Sequence, residues 1–178
     1  HVWEIMEEQL YFVQQAFGVR VLAFVLMSNH FHLLIYTPNR NLDRAMRWFM
    51  LETSRSLNRA GGRINQTYGG RYFRSILDND RYLLHAYKYV YQNPLRAGLV
   101  PKILDYPFSS LPGVLGLQPL RFAVHDEIMI LGVDETLEWL ERIPERGNWD
   151  AVGKALRRRI FRLAKVQKNP HPLETALL

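Results

Sequence analysis

Two histidines stand two residues apart in Met27-Ser28-Asn29-His30-Phe31-His32-Leu33-Leu34-Ile35, a run that otherwise carries strand-forming residues. Side chains alternate faces along a strand, so His30 and His32 point the same way while Phe31 and Leu33 take the other face. Two imidazoles side by side can share one metal ion. A bare H-x-H is also what two surface histidines on a half-exposed strand look like, and so short a pattern does not decide between the two. The second chemical feature is Tyr87-Lys88-Tyr89-Val90-Tyr91-Gln92-Asn93-Pro94. On a helix, residues four apart share a face, so His85, Tyr89 and Asn93 line up an imidazole, a phenol and a carboxamide, and Tyr91 turns away. Helical tyrosines are commonly core aromatics, and an Asn before Pro is an ordinary helix end. The combination favours chemistry: the H-x-H offers metal ligands, and the Y-x-x-x-N offers a nucleophile and a further ligand.

The flanking sequence supplies elements to carry these groups. Val2, Ile5, Met6, Leu10, Val13, Ala16 and Phe17 recur at helical steps, and Gly18 ends that helix. Val19 to Met27 and Phe31 to Tyr36 read as two strands of a hairpin closed by Pro38. Asn41 or Asp43 caps a helix running to about Arg59, with Leu42, Met46, Phe49, Met50 and Leu57 inward and Arg44, Arg47, Arg55 and Arg59 outward. Residues 61–71 read as an exposed loop, and Tyr72 to Leu77 as a short strand. Asp78 or Asp80 starts the helix carrying Tyr89, which is expected to stop near Asn93 because Pro94 disfavours helical geometry at the residue before it. Two further helices are expected, about Asp134 to Arg142 and Trp149 to Val166. The implied fold is α+β: a small antiparallel sheet with helices on one face, then a mostly helical extension.

Composition bounds the function. There is no cysteine, so disulfides and thiolate chemistry are excluded and metal ligands must be imidazole, amide or carboxylate. No apolar run approaches the ~20 residues needed to span a bilayer, and the start, with Glu4, Glu7 and Glu8, lacks the basic flank of a secretion signal. A cytoplasmic protein without a membrane partner is expected. Lys and Arg number 23 against 17 Asp and Glu, a formal charge of +6 that biases the chain toward polyanions.

Four blocks, in this order, resemble a known family: Leu26-Met27-Ser28-Asn29-His30-Phe31-His32-Leu33-Leu34, Gly69-Gly70-Arg71-Tyr72-Phe73, Tyr89-Val90-Tyr91-Gln92-Asn93-Pro94-Leu95-Arg96-Ala97-Gly98-Leu99-Val100, and Asp105-Tyr106-Pro107-Phe108-Ser109-Ser110. They resemble the REP-associated tyrosine transposases, relatives of the single-tyrosine transposases of small bacterial insertion sequences within the HUH single-strand endonuclease superfamily. The resemblance covers residues 1–116 and implies a ferredoxin-like HUH domain there, with residues 117–178 a basic helical extension. Family members open with a strand ahead of the first helix, and that strand is missing from the chain as read.

The resemblance puts the metal ligands on His30, His32 and Asn93 and the nucleophile on Tyr89. It implies Mg2+ or Mn2+ as cofactor, and cleavage of single-stranded DNA beside a hairpin through a 5′-phosphotyrosine that leaves a free 3′-hydroxyl. Single-stranded or hairpin DNA is therefore the expected partner. Arg71, Arg74 and Arg96 beside the motifs are the expected phosphate contacts, and Tyr72 or Phe73 the base-stacking ring. Asn65 and Gln66 are either base-reading residues or a plain solvent-facing loop, and Arg157-Arg158-Arg159 either binds DNA or is a solvated helix face. Two rivals stand beside this reading: a DNA-binding module at repetitive palindromes that has lost cleavage, and a metal-dependent nuclease that activates water.

Overall fold

The structure, a computed structural model, describes residues 1–64, 67–129, 132–143 and 146–163. In chain order these form α1 (Val2–Phe17), β1 (Arg20–Leu26), β2 (Phe31–Tyr36), α2 (Leu42–Gly61), α3 (Asp80–Arg96), α4 (Leu111–Val114), α5 (Val133–Glu141) and α6 (Arg146–Leu156), with a 3-10 turn at Ile103–Asp105. The α+β class expected from the pattern holds. Gly18 ends α1 in the left-handed conformation, φ 65°, where a residue without Cβ is unstrained.

β1 and β2 pair antiparallel from Arg20 opposite Tyr36 to Leu26 opposite Phe31, and Met27 N–H closes the hairpin on the His30 carbonyl at 2.8 Å. An irregularity between Val21 and Ala23 shifts the alternation, so Val21 and Phe24 face one side of the sheet and Ala23 and Val25 the other. The first side is covered by Met6, Leu10 and Val13 of α1 and Ala45, Met46 and Phe49 of α2, the second by Leu84, Ala86, Tyr87, Val90 and Tyr91 of α3. Helices thus cover both faces rather than one, because both sets of side chains along β1 are apolar and neither can be left to water. Among the described residues no helix is long and apolar enough to cross a membrane.

The outer edge of β1 is covered by chain that follows α3. Leu26 N–H donates to the Phe108 carbonyl, Ser110 N–H to the Phe24 carbonyl, and His125 N–H to the Val21 carbonyl, at 2.8–2.9 Å. The Tyr106 hydroxyl donates to the Leu26 carbonyl at 2.7 Å, so the Asp105 to Ser110 block works as an edge cover. Residues beyond 116 return to the core as well: Phe122 is buried, and Gln14 of α1 holds both backbone groups of Ala123.

Three expected boundaries are corrected. Tyr72 to Leu77 is not a strand; only Ile76 bridges, in parallel with Ile160, since the Gly- and polar-rich approach offers no second strand to pair with. Helix α3 runs past Asn93 through Pro94 to Arg96, because Pro94 falls in the last turn and its missing N–H leaves only the Val90 carbonyl without a helical donor. Helix α6 ends at Leu156 rather than at Val166, which lies outside the described residues; the chain leaves the helix so that Phe161 N–H can reach the Ile76 carbonyl at 2.9 Å.

Candidate functional site

His30 ends the hairpin loop and His32 sits in β2 opposite Val25, so the alternation rule puts both rings on the face covered by α3. Their Nε2 atoms are 3.1 Å apart. Two nitrogens bound to one ion at ~2.1 Å, roughly at right angles, would be ~3.0 Å apart, so the spacing suits a shared cation. Asn29 Oδ1 lies 2.7 Å from His30 Nδ1 and accepts its proton, which leaves Nε2 as the lone pair aimed at the site. Burial, with the charge of His30 adding to it, pushes the His32 imidazole down to about 4 against a weaker opposing pull from the Asn93 side chain. At neutral pH His32 is therefore an uncharged ring, the form that binds metals.

Helix α3 brings the second half. Asn93 spends its Nδ2 on the Tyr89 carbonyl, so its Oδ1 is the end available to His32 and to an ion. The Tyr89 ring meets the His32 ring edge-on, with centroids 5.6 Å apart. Burial pushes the Tyr89 phenol up, while the charges of Arg157 and Arg96 pull it the other way. Tyr87 and Tyr91 face the core: both are buried, Tyr87 donates to Asp126, and the Tyr91 hydroxyl is 2.9 Å from Ser110 Oγ. Burial drives both of their phenols well above the ordinary range. His85, one turn before Tyr89, is half-buried and does not line the cleft.

His30, His32, Tyr89 and Asn93 share one cleft of about 1180 Å3. That exceeds the ~300–1,000 Å3 usual for small-molecule sites and suits a polymer. Its other wall is the 68–80 segment with Arg71, Tyr72, Phe73 and Arg74. Arg71 and Phe73 are exposed there. Arg74 is committed to Asp43 of α2 by an ion pair of 2.7 Å, and the Tyr72 hydroxyl donates to the same carboxylate at 2.5 Å. Asp43 is held below the usual carboxylate range by these two bonds. Arg96 is not among the cleft-lining residues; its guanidinium lies over the Trp149 ring, 4.1 Å from the centroid. Asn65 and Gln66 lie outside the described residues.

Two residues of the site, Asn29 and Trp149, were not singled out by sequence reasoning. Asn29 orients His30, and its position beside the H-x-H was the available signal. Trp149 stacks on Tyr89. Arg157, first of the basic block that the sequence left as either DNA-binding or a solvated face, lines the cleft. Trp149, Gly153 and Arg157 recur every four residues, a helix-face spacing that says nothing by itself about what the face meets.

Residues 1–93 match the family model described as IS200-like transposase. The chain belongs to this family. The chain is 27% identical over 103 residues to the REP-associated tyrosine transposase of Escherichia coli K12, covering 57% of this chain and 61% of that protein. It is 28% identical over 99 residues to a putative REP-associated tyrosine transposase of Haemophilus influenzae, covering 49% of this chain and 56% of the relative. The chain thus spans less than two thirds of either protein. A REP-associated tyrosine transposase solved bound to a REP hairpin shares the fold at a TM-score of 0.55 and 20% identity, over 68% of this chain and 73% of that one. The matched span of the chain ends at Asn93 and contains His30, His32 and Tyr89, whereas Trp149 and Arg157 lie beyond it.

Proposed function

We propose that this chain cleaves and rejoins single-stranded DNA beside a hairpin, with Tyr89 as nucleophile and a divalent cation, Mg2+ or Mn2+, held by His30, His32 and Asn93. The observation that carries the reading is the selective exposure of one tyrosine in three: Tyr89 shares the cleft with both histidines, and Tyr87 and Tyr91 are hydrogen-bonded into the core. The family membership and the hairpin-bound relative support DNA as the substrate.

In this reading the Tyr89 oxygen attacks the scissile phosphorus. The new O–P bond replaces the bond from phosphorus to the 3′-oxygen, and the phenol proton is balanced by the proton the 3′-oxygen takes up. The product is a 5′-phosphotyrosine and a free 3′-hydroxyl, and the reverse attack rejoins DNA without ATP. When bound, the cation supplies polarisation of the phosphate and neutralises charge on its oxygens. The chain's own groups prepare that site: Asn29 fixes the His30 tautomer, burial keeps His32 neutral, and the Tyr89 carbonyl holds the Asn93 amide with its oxygen outward.

Incubating the chain with Mn2+ and an end-labelled hairpin oligonucleotide tests this. An adduct that survives SDS and carries the label on the 5′-phosphate side is expected. Cleavage without an adduct would favour water activation, and binding without cleavage would favour the DNA-binding module.

A further inference from the structure

A nucleophile on a two-rotor side chain must be held still to attack in line, since misplacement by about 1 Å can cost 10²-fold. Tyr89 leaves α3 into a wide cleft, and the edge of His32 bounds its ring on one side only. The other boundary comes from α6. The Trp149 indole stacks on the phenol with centroids 4.5 Å apart and planes 16° from parallel. One turn later the α6 backbone passes beside the ring at Gly153, where a Cβ would stand 3.4 Å from Tyr89 Cε2 and 3.5 Å from its hydroxyl, in ordinary contact, so that any larger branch would press on the phenol. Arg96, two turns beyond Tyr89 on the same face of α3, sets its guanidinium 4.1 Å from the indole centroid, so α3 grips Trp149 at two points.

This helix is fastened to the site rather than draped on it. Val152, Ala155 and Phe161 form a buried cluster against which Tyr82 and Tyr89 pack. Ile160 bridges to Ile76, and Arg162 pairs with Asp78 in the segment that leads into α3. Trp149 itself is buried.

We infer that α6 completes the reactive site, with Trp149 the positioning residue that fixes the Tyr89 ring. The inference rests on Tyr89 being the nucleophile. It assigns a working role to a part of the chain outside the span that matches the family.

The test is single-turnover adduct formation by the full chain with Mn2+ and saturating hairpin oligonucleotide, alongside hairpin affinity and thermal unfolding. Trp149→Ala is expected to slow the adduct step on the order of 10–100-fold with affinity unchanged, and Trp149→Phe, which keeps a stacking ring, to recover most of the rate. Gly153→Val keeps the indole but pushes a branched side chain at the phenol, and it too should slow the step at unchanged affinity. An unchanged or faster rate in Trp149→Ala would overturn the inference, the faster rate marking α6 as a cover that must move aside. Should Trp149→Ala not fold, normal rates in both Trp149→Phe and Gly153→Val would overturn it, and a slow Gly153→Val would support it. An adduct that survives Tyr89→Phe would overturn the proposed function and this inference together, whereas one lost in Tyr89→Phe but unaffected in Trp149→Ala overturns the positioning role alone.

Discussion

Asn93 Nδ2 donates to the Tyr89 carbonyl at 2.6 Å, one helical turn back, which joins the backbone of the proposed nucleophile to the side chain that faces His32. The bond uses up the amide nitrogen and leaves the oxygen as the outward end, so the proposed third ligand is set by the helix that carries Tyr89. Asn93→Ala is expected to weaken Mn2+ binding by roughly tenfold or more, and Asn29→Ala, which frees the His30 ring, by on the order of 10–100-fold. Isothermal titration of each variant with Mn2+ checks both, and unchanged affinity in the two would remove these amides from the site.

The lowered His32 value gives a signed pH prediction for the metal-free protein. The unfolded ring takes up its proton near pH 6.5, the native one only near about 4. Between these values the unfolded chain binds more protons, so native stability falls as pH falls through the window and levels off below it. Urea unfolding in EDTA should show that slope, and His32→Gln should flatten it.

Much of this site was legible because its logic is local. The two-residue period of a strand sets His30 and His32 on one side, and the four-residue step of a helix puts Tyr89 with Asn93 and turns Tyr87 and Tyr91 inward. Gly18 as a helix end follows in the same way from one residue's conformational freedom. What stayed hidden depends on distant partners. Arg74 is paired with Asp43 and Arg96 with Trp149, each across a long stretch of chain, and no spacing rule announces either. Pro94 is accommodated because it falls in the last turn of α3, where its missing N–H costs the helix a single bond. The shortening of α6 depends on Ile160 meeting Ile76.

The Asp43 contact bears on the DNA surface. Arg74 was expected to meet phosphate, and its partner Asp43 offsets that charge at the cleft wall. Asp43→Asn should tighten hairpin binding and steepen its salt dependence by about one unit of slope in a log–log plot, as one more cation becomes available. Anisotropy titrations across a salt series read this directly. An unchanged slope would place Arg74 outside the DNA footprint.

Arg157 lines the cleft that holds Tyr89 and is the member of its basic block tied to the site. Arg157→Gln should weaken hairpin binding and reduce the salt slope by about one, with Arg158→Gln the matched control. Equal effects from the two would mean a diffuse charge contribution rather than a contact in the cleft.

In the proposed reaction Tyr89 alone forms the bond to DNA. Cleavage after Lys88 and Arg96 releases a tryptic peptide that contains both Tyr89 and Tyr91, so fragmentation of the DNA-linked peptide can distinguish them. The nucleotide mass is expected on Tyr89, with the adduct absent from Tyr89→Phe and retained in Tyr91→Phe. A nucleotide mass on Tyr91, or an adduct formed by Tyr89→Phe at the native rate, would mean that another residue is the nucleophile.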